Sequence, residues 1–277
     1  MILTEACKGE RENTHMKKYV MTALFGILLT AAAGCGGTQA QDETAEEETA
    51  ENETAEEKTE EEAVGSLSSE AKSAYHSVLY DVYFNHLFPD GKDYGFLEGA
   101  DVSENEFAVY DVDQDGSQEL LISYTTTEEA VEVVYDFISA FDAVREEFVE
   151  YPGTAFYDNG YVQAVWSGNR GLSGESFQPY TLYQYDAESD AYTAAAQVDA
   201  WERSVSETDS EGNSFPDDVD VSGTGMVYYI TPEGDKTGEP VDQAEYEEWE
   251  ASWRGDAEEL AVPWMKLTEE NMDLVKK

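Results

Sequence analysis

Phe107-Ala-Val-Tyr-Asp111-Val-Asp113-Gln-Asp115-Gly116-Ser117-Gln-Glu119-Leu-Leu-Ile122 is the stretch on which the reading of this chain turns. Its two ends, Phe107–Tyr110 and Leu120–Tyr124, are short runs of apolar, β-branched and aromatic residues, and they read as two strands joined by an acidic loop. Oxygen donors at every second position let one short loop wrap a hard cation. Gly116 permits the tight turn, and the next residue turns its carbonyl inward. By that spacing Asp111, Asp113 and Asp115 offer side-chain oxygens, Ser117 a backbone oxygen, and Glu119 a carboxylate at the ninth place. Four carboxylates with no nitrogen or sulfur donor select calcium over zinc or copper. The plain alternative is an acidic β-turn without metal, in which the four carboxylates repel one another.

Working outward, a helix is expected from about Ser69 to Leu87, where Ala71, Ala74, Tyr75, Val78, Leu79 and Val82 recur at three- and four-residue steps. Ser68 or Ser69 is available as its cap and Pro89-Asp-Gly91 as its stop. Beyond Phe107 the expected strands are Phe107–Tyr110, Glu119–Thr125, Val131–Phe141, Thr154–Tyr157, Tyr161–Trp166, Tyr180–Tyr185, Tyr192–Trp201 and Met226–Thr231, joined by turns such as Asp158-Asn-Gly160. Helix returns at the carboxyl end: Asp242 and Glu245 resemble a capping box, Gly255 is a stop, and Thr268 starts a last helix with Leu267 and Met272 as a staple. The fold class implied is α+β, mainly an antiparallel sheet or partly closed barrel between an amino-terminal helix and carboxyl-terminal helices, over residues 65–277.

The amino end carries an address. Met16-Lys17-Lys18-Tyr19 precedes an apolar run from Val20 to Ala33 and then Gly34-Cys35, the basic, apolar and small-residue order of a secretory signal over residues 1–34. The run is shorter than the ~20 residues a bilayer span needs. Met1 to His15 contains Glu5, Glu10 and Glu12, which do not suit such a signal, so translation is expected to start at Met16. Ala32-Ala33-Gly34-Cys35 resembles the lipobox of bacterial lipoprotein precursors, which implies a mature chain that begins at lipidated Cys35. The other cysteine is Cys7, so no disulfide, CxxC pair or thiol nucleophile is expected in the mature chain. Residues 42 to 63 hold twelve acids and one Lys in a five-residue repeat that suits neither a helix face nor a strand face. With Cys35 they read as a self-repelling tether over 35–64, or else as an acidic interaction tail.

The whole chain has 62 acidic and 15 basic residues, a net charge of −47, and the part beyond residue 64 keeps 47 acids against 10 bases. Nucleic acid is therefore not an expected partner. A second loop, Asp218-Val-Asp220-Val-Ser222-Gly223-Thr224-Gly-Met226, repeats the donors at its first, third and fifth places but has Met226 at the ninth, so Asp218, Asp220, Ser222 and Thr224 form either a weaker calcium site or an acidic hairpin. His76 and His86 lie ten residues apart on one helix and point about 80° from each other, which makes no zinc pair. No nucleotide loop or HExxH is present. Tyr161, Trp166, Tyr180 and Tyr183 are either a stacking platform for a glycan or protein partner, or core.

The Asp111 loop resembles an EF-hand but has Ile122 where the bidentate Glu of the twelfth place belongs. With Glu119 at the ninth place it looks more like the strand-loop-strand calcium loops of integrin-type and bacterial surface repeats. Taken with residues 16 to 35, the chain resembles surface lipoproteins of Gram-positive bacteria that join a lipobox, an acidic tether and an Asp-x-Asp-x-Asp-Gly loop. That resemblance implies a calcium-associated binding or structural module, anchored in the cell membrane through its lipid on the extracellular face, and it implies no substrate; the residues themselves single out no catalytic group. The alternative is a surface carbohydrate-active hydrolase that uses a carboxylate pair.

Overall fold

The computed structural model describes residues 67–168, 170–234 and 238–277; the signal, Cys7, Cys35 and the acidic repeat lie outside them. Helix α1 (Ser69–Asn85) buries Ala71, Tyr75, Val78, Leu79 and Val82, the stripe its periodicity predicts. Ser68 caps it by accepting the Ala71 N–H at 3.0 Å, and His86 ends it in the left-handed conformation.

The strands follow as β1 (Glu106–Tyr110), β2 (Glu119–Tyr124), β3 (Val131–Ile138), β4 (Ala143–Glu150), β5 (Ala155–Phe156), β6 (Tyr161–Val165), β7 (Tyr180–Asp186), β8 (Ala191–Glu202), β9 (Met226–Pro232), β10 (Pro240–Val241) and β11 (Met265–Lys266). All pair antiparallel, in two open sheets ordered β11-β1-β2-β3-β4 and β10-β9-β8-β7-β6-β5. The α+β class holds, but the partly closed barrel does not. The physical break is at Pro152-Gly153, where Pro152 has no N–H to donate to a ladder and Gly153 takes φ 105°, so the chain leaves β4 and starts a new sheet at β5.

Alternation along the strands divides the apolar residues into layers. Phe107, Val109, Leu120, Ile122, Val133 and Tyr135 face α1 and the carboxyl-terminal Leu267, Met272 and Val275. Ala108, Leu121, Val134 and Phe148 pack instead against Phe156, Val162 and Ala164, so one apolar layer joins the two sheets. On the second sheet Tyr180, Leu182, Val198 and Tyr228 pack with Tyr246 and Trp253 of helix α2 (Gln243–Arg254). Tyr161 and Tyr183 are packed against these clusters, and the Trp166 indole donates to Thr181 Oγ1, so most of the aromatic platform read from the sequence is core.

The carboxyl end departs from expectation at one cap. Asp242 precedes α2 but makes no side-chain cap bond; its carboxylate accepts from Ser222 N and Oγ instead. Helix α3 (Glu269–Met272) starts as expected, with Thr268 accepting from Asn271 N and with Leu267 and Met272 buried together.

Glu132 of β3 is buried among these apolar residues, 2% exposed, with one oxygen on the Gly153 N–H at 3.1 Å and the other without a hydrogen-bond partner. Burial pushes its carboxyl up to about 7 from 4.5, so the folded chain favours the neutral form. The stabilisation that follows is whole below about pH 4.5 and fades as pH rises to about 7. Glu132→Gln is expected to be more stable than the wild-type chain by about 1 to 3 kcal/mol at pH 8, with the gap closing towards pH 4.5. Urea unfolding at the two pH values measures it; equal stability at pH 8 would contradict the buried charge.

Candidate metal centre

The loop between β1 and β2 is shaped by its own carboxylates. Gln114 takes φ 62° and Gly116 φ 96°, and a Cβ on Gly116 would touch nothing, so glycine is needed there for the backbone angle and not for space. Asp113 Oδ1 accepts from Asp115 N at 3.0 Å, Asp115 Oδ1 from Ser117 N at 2.6 Å, and Asp111 Oδ2 from Gly116 N at 3.2 Å. Behind the loop, α1 holds its exit: the Tyr75 hydroxyl donates to Gln118 O at 2.7 Å.

These bonds bring one oxygen each of Asp111, Asp113 and Asp115 within 4.8 Å of one another, close enough to hold a metal ion. Two ionised carboxylates at that spacing repel by about 3 kcal/mol even at an effective dielectric near 20. Asp113 is 7% exposed, and Asp111 Oδ1 is buried with no hydrogen-bond partner. Burial, with Asp115 and Asp111 beside it, pushes the Asp113 carboxyl up to about 6 and raises Asp111 as well. The donors are oxygens, one of them has no other partner, and the charge is uncompensated within the trio. The residues present therefore fit a hard cation.

The other expected donors stand differently. Ser117 is exposed at the end of the turn. Glu119 opens β2, 1% exposed, and its Oε2 accepts from Val112 N at 2.9 Å, closing the mouth of the loop. It is not among the three oxygens that converge, and burial with Asp113 nearby lifts its carboxyl to about 10, so without a cation it is protonated at neutral pH. In the second loop the Thr224 hydroxyl lies 3.4 Å from Asp220 Oδ1, and the polar atoms of Asp220 and Ser222 are engaged within the protein. Both oxygens of Asp220 accept backbone N–H groups, from Thr224 at 2.9 Å and Gly225 at 2.8 Å, while Ser222 serves Asp242. The bonds of Asp220 and Ser222 are those of an acidic hairpin.

Three neighbours were not foreseen from the sequence. Glu147 of β4, Asp190 from the β7–β8 turn and Asp113 form a second group of carboxylates within 4.8 Å. Arg145 stands in it, donating to Glu147 Oε1 and Asp190 Oδ2 at 2.7 Å each and reaching Asp136 Oδ2 at 3.4 Å. Against its burial, Arg145 and the Tyr185 hydroxyl hold the Asp190 carboxyl below the usual range. The first group has no such protein cation among the hydrogen bonds and ion pairs of the described residues. Asp113→Asn removes one charge from that group. It is expected to unfold at a higher temperature than the wild-type chain in EDTA and at a lower one with a millimolar divalent cation. The same order in both conditions, read by scanning calorimetry, would show that no ion is bound there.

No family model matches the chain, and searches of curated proteins and of solved structures return no match. What the chain does is therefore read from its own side chains.

Proposed function

We propose that the chain is a lipid-anchored module of the outer cell surface whose Asp111–Glu119 loop holds one calcium ion. The observation that carries the reading is the convergence of Asp111, Asp113 and Asp115 with a buried, partnerless oxygen on Asp111. Calcium suits it because the donors are all oxygen and the loop is open on its Asp115 side, where water completes a flexible coordination shell. Extracellular calcium modules work at dissociation constants of about 10⁻⁴ to 10⁻³ M, so a site at the tight end of that range is filled outside the cell. The ion's work is structural: it fixes the β1–β2 loop at the edge of the layer that joins the two sheets.

Anchoring is supported by the Met16–Cys35 signal, and among the described residues no helix is long and apolar enough to cross a membrane. A groove of about 500 Å³ on the second sheet supports a glycan partner: Trp166, Tyr229, Gln197 and Asp199 line it over the buried Trp201, a mix of aromatic and hydrogen-bonding groups that fits a sugar ring.

At a calcium concentration ten times the dissociation constant, binding adds about 1.4 kcal/mol of stability. The melting temperature should therefore rise with calcium and fall on addition of EDTA, and a melt indifferent to both would refute an occupied site. For the anchor, mass spectrometry of the protein extracted from membranes of the producing bacterium should find an amino terminus at Cys35 that carries a lipid. An unmodified Cys35, or a mature chain that keeps residues before it, would exclude that anchor.

A further inference from the structure

The loop is one strong ligand short. Its twelfth place, Ile122, is buried in the core facing α1, and Glu119 has one oxygen committed to Val112 N. Three aspartates and a backbone oxygen fill only part of a calcium shell of six to eight oxygens. The missing carboxylate has to come from elsewhere in the fold or be replaced by water.

Glu147 is placed to supply it. In the β3–β4 ladder Val134 pairs with Phe148 but Tyr135 pairs with Glu146, so Glu147 is the extra residue of a β-bulge. Bulges re-aim a side chain out of the regular alternation. The Glu147 side chain is 1% exposed, one of its oxygens lies within 4.8 Å of Asp113, and its Oε2 is buried without a hydrogen-bond partner. Arg145 holds only the other oxygen, Oε1, at 2.7 Å. A buried carboxylate oxygen left bare beside a cation loop is costly unless something positive meets it. The Arg145 guanidinium meets Glu147 Oε1 and Asp190 Oδ2 but not Glu147 Oε2, and Asp113, which Glu147 approaches, is shared with the trio of the loop.

We infer that Glu147 of β4 is a ligand of the calcium ion held by the Asp111–Glu119 loop, contributing from the neighbouring strand the carboxylate that the loop's own twelfth place lacks. This rests on the calcium reading and extends it: the ion then ties the β1–β2 loop to β4, while Arg145 orients Glu147 and through Asp190 links the same corner to the β7–β8 turn of the second sheet. Arg145 acts as a positioning residue, since it touches the ligand and not the ion.

The test compares calcium titrations of the wild-type chain and Glu147→Gln, a variant whose amide oxygen still accepts from Arg145. The dissociation constant should rise at least about tenfold, within the range that altered metal-site shells produce. In EDTA the variant should be no less stable than wild type, which separates loss of a ligand from loss of a structural contact. An affinity within about twofold of wild type would overturn the inference and leave the calcium reading standing; a wild-type chain that takes up no calcium would overturn both. Should the variant not fold, a crystal structure of the wild-type chain grown with calcium decides. A Glu147 oxygen at about 2.3 to 2.6 Å from the ion supports the inference, and a water in that place overturns it.

Discussion

Negative charge forced into a small, partly dry volume is the constraint around which this molecule is arranged. Asp111, Asp113 and Asp115 are drawn together by the N–H groups of their own loop, and Glu119, Glu147 and Asp136 press in from the adjoining strands. Burial and mutual repulsion push the carboxyls of Asp113, Glu119 and Glu147 to about 6, about 10 and about 7. A chain can meet such a cost by protonation, by an arginine, or by a metal ion. Arg145 serves the Glu147 and Asp190 side; on the loop side Asp111, Asp113 and Asp115 lie close enough to hold a metal ion.

The place of this cluster in the fold explains why it matters. The β1–β2 loop leaves the first sheet beside the apolar layer shared by Ala108, Leu121 and Phe148 with Phe156 and Val162. Tyr75 of α1 grips the loop at Gln118 from one side, and Arg145 with Asp190 draws in the second sheet from the other. An ion bound there would stiffen the meeting point of three elements that the chain contributes from well-separated positions. Such a brace suits a module with a heavy negative charge, whose self-repulsion otherwise works against compactness.

Much of the frame was legible in the sequence because the signals were local. The stripe of α1, the strands beginning at Phe107, Glu119, Tyr161, Tyr180, Tyr192 and Met226, and the Thr268 cap with its staple all appear where spacing and capping chemistry put them. Strand β4 was missed because Ala143–Glu150 carries Arg145, Glu146, Glu147 and Glu150, and its bulge at Glu147 breaks the two-residue alternation. The same stretch was hidden further by reading Val131–Phe141 as one strand, although the chain turns at Asp142 with φ 48°. Two-residue strands such as β10 and β11 carry no period at all. For the site, Asp111, Asp113 and Asp115 were readable from loop spacing alone. Glu147, Asp190 and Arg145 were not, because they reach the loop through sheet pairing and the packing of one sheet on the other, and no spacing encodes that.

The most direct measurement is calorimetric titration of calcium into the purified, metal-stripped chain. One ion should bind per chain, with a dissociation constant at or below about 10⁻³ M, and binding should be lost when Asp111 is replaced by Ala. Absence of any saturable uptake at millimolar calcium would contradict it, and the crowded carboxylates would then be held by protons and Arg145 alone.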